Sequence, residues 1–130
     1  MVEIYHITPN TKPRQTRKDK WEKRPCVMQY RQFADDVRSA GVKIPTHDCH
    51  VIFVVPMAPS WSDKKKAQMD GQPMQLTPDL DNLHKALLDS LFSNDCHIWD
   101  ARITKLWGYS GKIIVLPAEP IQFVLNRYCR

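Results

Sequence analysis

An α+β fold, with two main helices against one small mixed β-sheet, is predicted by three features of this 130-residue chain. Apolar residues recur at helical spacing in two separate windows, 27–37 and 80–91. Short β-branched runs precede and follow those windows, and 49–55 is the strongest of them. The segments run β-α-β-loop-α-β-β, which mixes the two kinds of element around one core instead of alternating them regularly. The length suits one domain over 1–130, and a 42% hydrophobic fraction suffices for a core without metal or disulfide staples.

Each element has its own justification. Val2 to Ile7 alternates as a first strand, with Val2, Ile4 and the aromatic Tyr5 inward, and stops at Pro9. Residues 10–25 contain Pro13 and Pro25 and no apolar period, so the basic stretch 12–25 reads as a loop. Pro25 suits the first turn of a helix whose buried stripe is Val27, Tyr30, Ala34 and Val37, with Phe33 beside it. Gly41 closes that helix, and Arg31 and Arg38 extend a basic surface on a similar face. Cys49 to Val55 is a strand ended by Pro56. The proline-rich segment 56–78 reads as a long flexible loop, a length usually tied to function. Asp81 to Phe92 is a helix striped by Leu83, Leu87 and Leu91, with Leu80 upstream. Ala101 to Trp107 and Lys112 to Leu116 are strands, joined by a hairpin turn at Gly108 to Gly111. Ile121 to Leu125 fits either an edge strand or a short helix.

Several classes are excluded. No apolar run approaches the ~20 residues that span a bilayer, so no membrane role is expected. The N-terminus lacks a basic region followed by an apolar stretch, so no secretory signal is expected. Cys26, Cys49, Cys96 and Cys129 are then reduced thiols, and the expected compartment is the cytoplasm. His47-Asp48-Cys49-His50 and Asp95-Cys96-His97 lack the paired spacing of a zinc site. The glycine-rich nucleotide signatures and the hydrolase elbow are absent, and no small-molecule cofactor is expected.

The charge is concentrated. Lys12, Arg14, Arg17, Lys18, Lys20, Lys23 and Arg24 face only Asp19 and Glu22, so this segment holds the whole chain's excess of +5. Such a local field suits a polyanion, and Trp21 within it offers a ring for stacking on a base or sugar. Lys64, Lys65 and Lys66 form a second run after Trp61. The bland alternative is two solvated loops.

The densest chemistry is Pro78-Asp79-Leu80-Asp81-Asn82-Leu83-His84-Lys85. Asp79 and Asp81 lie two apart at a loop–helix junction, where an extended chain points both carboxylates to one side. Asp81 and Lys85 share a helix face at i, i+4. Two acids and a lysine there suit a divalent-metal site for phosphate chemistry, with Asp100 as a third carboxylate. Against this stands the ordinary use of aspartate as a helix cap and dipole partner, which needs one Asp but not two. Asp89 competes with Asp100 for the third carboxylate, although its place in mid-helix suits a simple ion pair with Lys85.

Residues 78–91, Pro-Asp-Leu-Asp-Asn-Leu-His-Lys-Ala-Leu-Leu-Asp-Ser-Leu, followed by Trp99-Asp100-Ala101, resemble the RusA family of Holliday junction resolvases. Pro59-Ser60-Trp61-Ser62 with Lys64–Lys66, and the stretch Lys12 to Arg17, are similar to the phage and prophage branch of that family. The resemblance covers most of residues 4–116. It implies a RusA-like fold in an intertwined homodimer, a Mg²⁺ cofactor held by Asp79, Asp81 and Asp100, and an essential lysine at Lys85, with Asn82 as the asparagine of the motif. It also implies a crossover-junction endodeoxyribonuclease acting on four-way DNA in recombination and repair, in a bacterial host and phage- or prophage-encoded. DNA contacts are expected from Lys12, Arg14, Arg17, Lys18, Lys20, Trp21, Lys64, Lys65, Lys66 and Asn82. One departure is Pro78, where some members carry arginine before the first aspartate, so DNA contact there must come from elsewhere, such as Lys64–Lys66. Two other readings accompany this one. The first is a phage nuclease preferring flaps or forks, and the second is a non-catalytic DNA-binding protein whose acids only cap a helix.

Overall fold

The computed structural model describes residues 1–13 and 24–129. Among them are four strands and four helices: β1 (Glu3–Tyr5), α1 (Pro25–Ser39), β2 (Cys49–Pro56), α2 (Asp63–Met69), α3 (Leu80–Leu91), β3 (Arg102–Gly108), β4 (Lys112–Pro117) and α4 (Ile121–Tyr128). The fold is α+β, as the sequence predicts.

The strands form one mixed sheet in the order β1-β4-β2-β3. β2 runs parallel to β3, with Val51 opposite Ile103, and antiparallel to β4, with Val51 opposite Val115. The expected β3–β4 hairpin is therefore wrong, because β2 lies between those two strands. The most apolar strand takes the centre, where it has a neighbour on each side. The chain crosses the end of β2 through residues 109–111. A side chain at Gly108 would collide with Val54, and one at Gly111 would collide with Thr8, so both positions require glycine.

Cys49, Val51 and Phe53 of β2 alternate onto one buried face with Ile113 and Val115 of β4. Tyr30, Phe33, Ala34 and Val37 of α1 and Leu83, Ala86, Leu87 and Leu88 of α3 complete that core. Phe53, Leu83, Leu87 and Ile113 are fully buried, each burial stabilising by about 1.5–3 kcal/mol. The helical stripes in α1 and α3 are those of the sequence.

Around β1 the expectation holds for Tyr5 but not for Val2 and Ile4. Val2 and Ile4 are more than half exposed, whereas Tyr5 and Ile7 pack on the core. Pairing explains this, because directly opposed residues share a face. Tyr5 lies opposite the core-facing Ile113, and Ile4 lies opposite Ile114 on the other face.

Segment 56–78 is not one long loop, since it contains α2. Ser62 caps that helix by accepting from the Lys65 N–H at 3.2 Å. Arg38 ties α1 to α3, because its Nε donates to the Ser90 carbonyl near the C-terminal end of α3 at 2.7 Å, while its side chain stays exposed. The tail forms α4, none of whose residues is buried. Among the described residues, no helix is long and apolar enough to cross a membrane. All four cysteines are free, and burial pushes the Cys49 thiol upward.

Candidate active site

Asp79 occupies the N-cap position of α3, with extended backbone at φ −67° and ψ 147°, yet its side chain makes no capping hydrogen bond. Its carbonyl starts the helix by accepting from Leu83 N–H at 3.1 Å. Asp81 stands in the first helical turn. Both residues are exposed. Simple capping therefore leaves the Asp79 carboxylate without a task.

The loop before Asp79 is tied down from the sheet. The Lys105 ammonium of β3 donates to the Leu76 carbonyl at 2.6 Å and to the Pro78 carbonyl at 2.8 Å. The Thr77–Pro78 bond is cis. Sequence reading missed Lys105, whose only signal was a lone lysine in an otherwise strand-like run.

Asp100 lies just before β3, and the turn at 46–48 holds it. Its backbone N–H and that of Trp99 both point at the Thr46 carbonyl, at 3.3 and 3.1 Å. Its carboxylate Oδ2 accepts from the Asp48 N–H at 2.8 Å. Beside it, Trp99 stacks on His47 with ring centroids 5.0 Å apart, and it stays 58% exposed.

Lys85 is not paired with Asp81. Its ammonium lies 3.1 Å from Asp89 Oδ1 and 3.1 Å from Asp95 Oδ2. The hydrogen bonds to Asp95 and Asp89 hold its pKa above the usual lysine value, and Lys85 in turn holds the Asp95 carboxyl below its own. The predicted i, i+4 contact thus runs toward the C-terminal end of α3, where Asp89 waits. Lys12 joins the same network, 3.5 Å from Asp89 and 5.8 Å from the Tyr30 ring centroid. His84, next to Lys85, has a buried Nε2 without a partner, and burial lowers its pKa.

Lys64, Lys65 and Lys66 fall on α2, none of whose residues is buried. The Lys65 ammonium lies 4.1 Å above the Trp61 ring, which meets Trp107 edge-on at 4.9 Å. A cleft of about 260 Å³ lined by Trp61, Lys65, Gln75, Leu76 and Trp107 runs from this helix to the loop before Asp79. Asn82 is exposed at the start of α3. Arg14, Arg17, Lys18, Lys20 and Trp21 lie outside the described residues.

The site residues thus fall into three groups: Asp79 with Asp81, Lys85 with Asp89 and Asp95, and Asp100 with Asp48. Among the described residues, no three His, Cys, Asp or Glu side chains gather closely enough to hold a metal ion. The donor chemistry nonetheless suits Mg²⁺, which takes one or two carboxylates together with waters and substrate phosphate. Asp79 and Asp81 offer hard oxygens that no described side chain or backbone group engages.

The sequence pattern of the endodeoxyribonuclease RusA matches residues 5–116. The chain belongs to the RusA endodeoxyribonuclease family. No curated protein and no solved structure matches it. As a RusA-family nuclease the chain is a Holliday junction endodeoxyribonuclease. The RusA match takes in Asp79, Asp81, Lys85 and Asp100 and leaves α4 outside.

Proposed function

We propose that the chain, a single domain over 1–130, nicks paired strands of a four-way junction with Mg²⁺ held by Asp79, Asp81 and Asp100. The observation that carries this reading is the Asp79 carboxylate, which stands at a helix start and caps nothing. Mg²⁺, when bound, supplies Lewis acidity and an activated water. The chain's residues set the stage for that chemistry. Asp79 and Asp81 present unpaired carboxylates, and Lys105 fixes the loop that carries the first of them. Asp100 has one oxygen committed to the Asp48 N–H, which orients the other.

Lys85 keeps its proton across the working pH range, because Asp95 and Asp89 favour the charged form. Its exposed ammonium is the group that stabilises charge on the scissile phosphate, exchanging a carboxylate for it. Lys12, Arg14, Arg17, Lys18, Lys20, Trp21, Asn82 and the α2 lysines grip the DNA arms through backbone contacts and stacking, giving structure preference without base reading. Two symmetric cuts need two active sites, so the working unit is a two-fold homodimer. Exposed Val2, Ile4, Phe123, Val124 and Tyr128 supply apolar surface for such an assembly. The setting is the cytoplasm of a bacterial host, with a phage or prophage source.

The test is incubation with a labelled four-way junction, a flap and a plain duplex, with and without Mg²⁺. Paired nicks confined to the junction and dependent on Mg²⁺ are expected. Preferential cutting of the flap would move the substrate. Binding without any cutting would overturn the reading.

A further inference from the structure

Asp48 has φ +54°, and it is the one non-glycine residue with positive φ among those described. That region is uncommon for residues with a side chain, although aspartate and asparagine tolerate it best. Three hydrogen bonds hold Asp48 there. Its N–H donates to Asp100 Oδ2 at 2.8 Å, and its carbonyl accepts from the Ala118 N–H at 2.9 Å. Its carboxylate Oδ1 accepts from the Ile121 N–H at 2.9 Å. Ile121 is the first residue of α4, whose opening amide has no partner within its own helix. A residue 73 positions away in sequence therefore caps this helix, and the same residue grips Asp100.

We infer that Asp48 is a positioning residue that couples the C-terminal helix α4 to the carboxylate of Asp100. The left-handed backbone is what turns the Asp48 N–H toward Asp100, and the contacts at Ala118 and Ile121 keep the backbone in that state. Both ends of the link are polar bonds to one residue, so loosening α4 loosens the donor that orients Asp100. Because α4 lies beyond the stretch matched by the family, the coupling belongs to this chain's own C-terminal segment. Its consequence for catalysis rests on Asp100 being a metal ligand, since donors behind a ligand typically tune metal affinity by 10–100-fold.

Two readouts on the full-length protein separate the coupling from that reading. Hydrogen exchange at the Asp48 amide, followed by NMR without metal, reports the bond to Asp100 alone. Ile121→Pro removes the donating N–H at a position where proline suits a helix start, so α4 is kept while the link is cut. Asp48 protection should fall about tenfold in this variant, and unchanged protection overturns the coupling. Calorimetric titration with Mg²⁺ alone reports the metal site. Asp48→Ala should weaken Mg²⁺ binding about tenfold or more, on the scale of second-layer donors. Asp48→Asn, which keeps both the backbone preference and an acceptor, should match the parent. If Asp48→Asn fails as badly as Asp48→Ala in both readouts, charge and not position is at work and the inference is wrong. If protection falls as expected but Asp100→Asn binds Mg²⁺ like the parent, the coupling stands and the ligand role of Asp100 is what fails.

Discussion

Lys85 carries one positive charge between two carboxylates, each 3.1 Å away, and that arrangement sets up a sharp test of its role. Lys85→Arg keeps the charge but exchanges a compact ammonium for a wider planar fork. If Lys85 stabilises charge at the reacting phosphate, the variant should bind junctions normally and cleave about 100-fold more slowly. Cleavage at the parental rate would reduce Lys85 to a phosphate anchor or a surface ion pair. At this scale the sequence was informative where chemistry is dense over a few residues. Asp79, Asp81, Lys85 and Asp100 stand out that way, and so does Asp89, the rival third carboxylate, which pairs with Lys85. Asp48 and Lys105 do not, because their partners lie 52 and 73 residues away for the first, and 27 and 29 for the second. Local spacing cannot reveal a bond closed only by tertiary structure.

Elements were legible where one face is buried. The stripes of α1 and α3 follow helical spacing because those faces meet the sheet, and β2 shows itself by β-branched content. α2 escaped notice for the opposite reason. It has seven residues and buries none of them, so it carries no apolar period, and prolines flank it on both sides. Its remaining sign was Ser62 followed by Asp63, a cap and a first-turn acid. The β3–β4 turn misled because Gly108 and Gly111 look like hairpin glycines. They are there because Val54 and Thr8 leave no space for a side chain. Ile4 of β1 faces outward, against expectation, since side-chain direction there is set by β4, which lies more than a hundred residues later in the chain. The site residues show the same limit, as the start of α3 carries Asp79 and Asp81 while the turn before β3 carries Asp100.

For the molecule as a whole, two buried-side histidines make stability depend on pH. Burial holds His84 below the usual imidazole value against a smaller upward pull from Asp95, and burial with Arg102 does the same for His50. Their folded pKa values are lowered, so as pH falls below about 6.5 the unfolded chain takes up protons first. The contribution is therefore complete above that value and is lost as pH falls through it toward the folded values. Each histidine adds a slope of at most about 1.4 kcal/mol per pH unit. Urea unfolding at pH 7.5 and 5.5 should show lower stability at the acid end, with a shallower dependence in His84→Asn. An unchanged dependence in that variant would remove His84 from the account. The central claim, that the acids at the start of α3 serve phosphodiester cleavage and not helix capping, is tested most directly by Asp79→Ser. Serine caps helices as well as aspartate does, so folding is preserved while the carboxylate is lost. Cleavage rate on a labelled four-way junction at saturating Mg²⁺ is the measurement. The account predicts that Asp79→Ser binds the junction and does not cut it, and cutting at the parental rate would contradict it.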